Sequence, residues 1–202
     1  MDHHRTRASI DLFWLPLGAG AGGLCVRGSG RVYEALAALR QHRQRVDLYH
    51  SALLVHLDGH DHAVEMAPVW AGSGGDRGVE AEGAVGLPSL GRWRVFRYEI
   101  RCWRDGTIPD AATAVDGPRR VSTSRGRARR VLDLVPAVPT PTWGRDELRT
   151  GEMWNSNSLT SWLLTCSGHD MLAIRPPAGG RAPGWAAGLT AARAHPRQQS
   201  QP

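Results

Sequence analysis

The sequence predicts an α+β fold, an antiparallel β-sheet with helices packed on it, and two observations lead there. Short apolar runs of strand length are separated by turn signals, the strongest being Asp58-Gly59, which sits between two such runs. Later segments instead carry their apolar residues at helical spacing, with hydroxyl or amide residues ahead of them and proline or glycine behind. At 202 residues and 22.0 kDa the chain fits one domain, 8–175, large enough to bury a core without disulfide or metal staples.

Taken in order, residues 10–17 form an apolar strand, and the glycine-rich run after it leads into a helix over 31–40, where Val32, Leu36 and Leu39 recur at helical spacing. The run 12–26, preceded by Arg5 and Arg7, imitates a signal peptide. Pro16 and Gly18, Gly20, Gly22 and Gly23 break its apolar stretch, so it reads as strand and glycine loop. Strands over 47–57 and 62–69 flank Asp58-Gly59. The glycine-laden segment 72–91 reads as a surface loop or flap, and 92–103 as a third strand ending at Asp105-Gly106. Ser122 or Thr123 caps a helix over 124–135, which stops before Pro136 and Pro139. After a connecting loop over 143–151, a helix over 157–167 carries Leu159, Trp162, Leu163 and Cys166 on one stripe, with Gly168 as its stop. Residues 176–202 are dominated by Pro, Gly and Ala and then by polar residues, the composition of a disordered tail.

The formal charge is +6, yet all 25 basic residues are Arg and none is Lys, a bias of GC-rich coding more than of phosphate binding. Nucleic acid is therefore an unfavoured partner, and the arginines at 125, 127, 129 and 130 read as a solvated helix flank. Cys25, Cys102 and Cys166 are odd in number with no CxxC, which points to a reducing, cytoplasmic setting. No stretch reaches the length of a membrane span, and no metal or cofactor is expected. Oligomeric state is not legible from one sequence.

Two islands about a hundred residues apart carry the functional signal: Tyr49-His50-Ser51-Ala52-Leu53-Leu54-Val55, and Trp154-Asn155-Ser156-Asn157-Ser158-Leu159-Thr160-Ser161-Trp162-Leu163-Leu164. The first places a histidine at a strand start. The second opens a helix with a hydroxyl residue where backbone N–H groups are unpaired. With Asp58-Gly59 as a two-residue turn, Leu57 faces His60. One sheet face then collects His50, Ala52, Leu54 and His56 with Asp61, Ala63 and Glu65, and the other collects Leu53, Val55 and Leu57 with His62, Val64 and Met66. Glu65 falls diagonally across from His50, whereas a turn one residue longer would make His62 its neighbour. Each of these residues also has a plain structural reading, Ser158 as a helix cap, Glu65 as a solvated strand carboxylate and Cys166 as a buried inert thiol.

This order of pieces resembles the circularly permuted papain-like fold of the NlpC/P60 superfamily, including its lecithin retinol acyltransferase-like branch. The resemblance rests on Asn157-Ser158 at the place where those proteins carry Asn-Cys, and on the spacing from His50 to His62. It spans residues 45–170. It implies an amide or ester hydrolase, or an acyltransferase, with Ser158 as nucleophile, His50 as general base, Glu65 or else His62 as orienter, and a peptide or acyl-containing substrate held near Trp154, Asn155 and Asn157. The departure from the pattern is at the nucleophile, a hydroxyl in place of a thiol, which leaves a catalytically inactive binding protein of the same fold as the alternative. The stretch Glu-Met-Trp-Asn-Ser-Asn-Ser followed by Trp-Leu-Leu also resembles an uncharacterised actinobacterial family, and that resemblance implies no activity.

Overall fold

The structure, a computed structural model, describes residues 8–17, 44, 46–69 and 78–195. The helix expected over 31–40 lies outside them, as do 70–77 and 196–202. The described residues form an α+β fold. Seven strands are β1 (Ser9–Pro16), β2 (Asp47–Leu57), β3 (His60–Pro68), β4 (Val79–Ala84), β5 (Arg97–Arg104), β6 (Arg119–Ser122) and β7 (Gly180–Arg181), and three helices are α1 (Arg125–Leu134), α2 (Ser156–Cys166) and α3 (Trp185–Ala194). The antiparallel sheet runs β4-β5-β3-β2-β1-β6, and the short β7 adds a parallel pairing at the start of β2. No helix among the described residues is long and apolar enough to cross a membrane.

The β2–β3 hairpin has the expected register, with Leu57 opposite His60 and Val55 opposite His62. Asp58 and Gly59 both take positive φ, 55° and 87°, the backbone that a two-residue hairpin turn requires and that Asp and Gly tolerate. Arg125 and Arg129 of α1 grip the Asp58 carboxylate at 2.6 and 3.0 Å, so half of the expected solvated arginine flank braces the turn instead.

Alternation across the pleat divides the sheet into two buried faces. The inner face presents Ile10, Leu12 and Trp14 of β1, Leu53, Val55 and Leu57 of β2, Val64 and Met66 of β3, and Tyr98 and Ile100 of β5. Ala128, Val131 and Leu134 of α1 and Leu159, Trp162 and Leu163 of α2 pack into the same core. Each such side chain contributes about 1.5–3 kcal/mol relative to exposure, so this layer dominates stability. The outer face carries a smaller core of Phe13, Leu15, Ala52, Ala63 and Ile108, edged by Leu54 and Trp103. Ile108 belongs to the connection after β5, which folds over this face and is tied down where the Val115 N–H donates to the Trp14 carbonyl at 2.9 Å.

Three expectations are corrected. The segment 72–91 is not wholly a loop, since β4 pairs with β5 through a bulge between Val79 and Ala81. The strand expected over 92–103 begins only at Arg97, because Pro88–Arg92 and Arg94–Phe96 are 3-10 turns that leave Trp93, Val95 and Phe96 in solvent. The region expected to be a disordered tail holds β7 and α3, and α3 packs its small residues Ala187, Gly188 and Ala192 against the core. Alanine and glycine, read as disorder-promoting from composition, are what lets α3 approach α2 closely.

Candidate functional site

At the start of α2 the side chains of Glu152, Asn155, Asn157 and Ser158 are spent on structure. Asn155 is the N-cap, its side-chain oxygen accepting from the Asn157 N–H at 2.9 Å. Ser158 Oγ accepts from the Asn155 N–H at 3.1 Å, closing a reciprocal capping box. The same hydroxyl donates to the Gly184 carbonyl at 2.7 Å, and Ser158 is 0 % exposed. Asn157 donates to the carbonyls of Tyr49 (2.9 Å) and Pro183 (2.8 Å) and accepts from the Ser51 hydroxyl at 2.8 Å. Glu152 caps the next helix, its carboxylate accepting from the N–H groups of Gly184 (3.0 Å) and Ala186 (2.9 Å). Trp154 is core, 1 % exposed. The island is a polar lock that joins β2, α2 and the loop before α3.

His50 takes no part in it. Tyr49, Ser51 and Leu53 point from β2 toward α2, so His50 points the other way, beside Leu15 in the next strand and under the outer connection. The sheet itself separates the His50 imidazole from the Ser158 hydroxyl. Burial pushes the His50 pKa down to about 4, with the Asp110 carboxylate opposing weakly, so at neutral pH the ring is uncharged. His62 lies on the inner face, opposite Val55, with its buried Nδ1 unpaired among the described residues. It cannot orient a ring on the other face. Glu65 shares the outer face with His50, but its carboxylate meets the buried Arg101 at 3.2 Å, and Arg101 in turn pairs with Glu99 at 2.7 Å. The catalytic set of Ser158, His50, Glu65 and His62 is therefore not assembled, and Trp154, Asn155 and Asn157 are taken up in core packing and in the cap of α2. The arrangement that the NlpC/P60 resemblance implies, a base facing the first turn of the helix, is not formed by these residues.

The polar residues that do converge lie on the outer face at the hairpin end. A cleft of about 640 Å³ is lined by Ala8, Ser9, Asp11, Leu54, His56, Asp61, Arg120 and Thr123. The register builds it: His56 of β2 lies between Ser9 of β1 and Asp61 of β3, one row across three strands. His56 Nδ1 meets Asp61 Oδ1 at 2.9 Å, which leaves Nε2 as the ring nitrogen available to a ligand. Arg120 of β6 donates from Nε and Nη2 to the two oxygens of Asp11 at 2.9 and 3.0 Å, a two-pronged pair with one nitrogen to spare. Two carboxylates, one guanidinium and one imidazole thus pair off within the lining, and the Ser9 and Thr123 hydroxyls add further hydrogen-bonding groups.

Part of this cleft was legible in the sequence, since the turn chemistry alone puts His56 and Asp61 on one face. Asp11 and Arg120 were not, because they are brought together by the pairing of β1 with β6, which no local pattern announces. The remaining histidines disperse. His60 is held by Asp105 at 3.2 Å and contacts Arg104, and among the described residues no three side chains converge as metal ligands. No protein-family model, no curated protein and no solved structure matches the chain, so the site is read from its own geometry.

Proposed function

We propose that this protein is a binding protein for a small polar ligand taken up in the outer-face cleft. The observation that carries the reading is the His56 ring fixed by Asp61 at the wall of that cleft, opposite an Arg120 already neutralised by Asp11. With Arg120 paired to Asp11 and the His56 ring to Asp61, what the lining offers a ligand is a ring nitrogen, a guanidinium nitrogen and the Ser9 and Thr123 hydroxyls. A ligand with paired donors and acceptors satisfies the ring, the free guanidinium nitrogen and the hydroxyls together. The reading is tested by thermal unfolding with free amino acids, monosaccharides and polyols. A true ligand at about a hundredfold its Kd stabilises the fold by about 2.7 kcal/mol, and His56→Ala removes that gain. A shift that survives His56→Ala, or none with any compound, ends the proposal.

The Ser9, His56, Asp61 row favours a second reading, an amide or ester hydrolase or acyltransferase. In it the His56 ring takes the Ser9 hydroxyl proton as the oxygen attacks a carbonyl, then returns that proton to the leaving group. Turnover of an ester or amide panel that disappears in both Ser9→Ala and His56→Ala supports this reading, whereas activity retained in Ser9→Ala dismisses it.

A further inference from the structure

The turn between β4 and β5 presents an apolar ridge to solvent. Leu87, Trp93, Val95 and Phe96 are 48 %, 46 %, 57 % and 39 % exposed. A monomer that leaves four large apolar side chains together in water usually has a surface to set them against. The ridge is rigid: in its two consecutive 3-10 turns Trp93 N–H donates to the Leu90 carbonyl at 3.0 Å, and Phe96 N–H to the Trp93 carbonyl at 2.9 Å. Arg97 anchors its base through Glu82 at 2.9 Å. Docking therefore orders little backbone. Residues 85–96 contain Arg92 and Arg94, both exposed, and no Asp or Glu.

We infer that this ridge docks the protein onto an anionic lipid surface. Two features favour lipid over a nucleic-acid strand, which the same charge would attract. One face of the Trp93 ring already carries the Arg92 guanidinium, 3.8 Å from its centroid, and Phe96 packs against the ring at 6.3 Å, so the indole is poorly placed to stack a base. The most exposed members are aliphatic, Val95 and Leu87, which fit acyl chains and offer a base no stacking plane. Trp and Phe suit the headgroup boundary, and Arg92 and Arg94 suit lipid phosphates beside it.

The test is co-sedimentation of the full chain with phosphatidylcholine vesicles, with and without phosphatidylserine. Partition onto the serine-containing vesicles alone is expected. Each charge removed in Arg92→Gln/Arg94→Gln lowers that partition about fivefold. Val95→Ser/Trp93→Ser abolishes it, and Arg127→Gln/Arg193→Gln, the same loss of charge elsewhere, changes it little. An unchanged melting temperature in these exposed-site variants shows that folding is intact. Absent partition, or partition equal across the two arginine double variants, overturns the proposal. So does vesicle indifference combined with ridge-dependent binding of single-stranded oligothymidylate, or with ridge-dependent self-association.

Discussion

Ser158 shows how one hydroxyl can satisfy a functional motif and serve only structure. It closes the cap of α2 and also reaches the Gly184 carbonyl of the segment leading into α3. Replacing it with Ala leaves the Asn155 N–H without its partner and takes from the Gly184 carbonyl the shorter of two hydrogen bonds, the other coming from the Gly188 N–H at 3.3 Å. The expected cost for Ser158→Ala is about 1–3 kcal/mol, read as a lower urea midpoint, with ligand binding at the outer cleft unchanged. A loss of cleft binding at full stability would show that this end of the molecule has a direct role. The hydroxyl at the helix start was visible in the sequence, but its partner, twenty-six residues on, was not. The cap and nucleophile readings of Ser158 differ only in what the side chain faces, and that is a tertiary fact.

At the scale of elements, α2 and α3 meet through glycine. A Cβ added at Gly188 would sit 2.1 Å from the Ser158 carbonyl oxygen and 2.1 Å from Ser161 Oγ. Two effects of Gly188→Ala oppose each other. Alanine is the better helix former by about 1 kcal/mol, whereas overpacking a close helix contact costs about 1–3 kcal/mol or more. Because a backbone carbonyl of α2 is among the atoms struck, it cannot swing aside as a side chain would, and the clash wins. Net destabilisation is expected by urea unfolding, and a stabilised variant would mean that the two helices are not in contact at this point. Strand pairing fared differently. The hairpin register followed from Asp58-Gly59 because a two-residue turn permits one alignment, whereas β4 was hidden by glycines and by the polar Glu80 and Glu82. An edge strand with half its residues in solvent carries no apolar alternation to read.

For the whole molecule, the consequence of a sheet buried on both faces is a built-in acid sensitivity. His50 lies under the outer connection with its pKa pushed down to about 4 by burial, against 6.5 in the unfolded chain. Between those values the unfolded state binds a proton that the folded state refuses, so stability rises with pH there. The contribution is fully present above pH 6.5 and falls away as the pH drops toward about 4, a loss of about 2–3 kcal/mol. Denaturant unfolding at several pH values checks this. His50→Gln should flatten the curve in that window, and an equally steep curve in the variant would assign the acid sensitivity to other groups.

By itself the sequence determined the α+β class, the hairpin and its register, the division of β2 and β3 residues between two faces, and two helices expected over 124–135 and 157–167, whose caps the structure places at Ser124 and Asn155. All of these follow from local chemistry: turn residues that tolerate positive φ, side-chain periodicity, and caps that satisfy free N–H groups. Only the tertiary structure decided which face α2 covers, and hence that His50 and Ser158 lie on opposite sides of a sheet. It likewise decided that the alanine- and glycine-rich end folds into α3, and that Asp11 and Arg120 meet beside His56. Those outcomes depend on packing between segments distant in the chain, where each element's apolar stripe has more than one surface available and only the joint burial of all of them selects one.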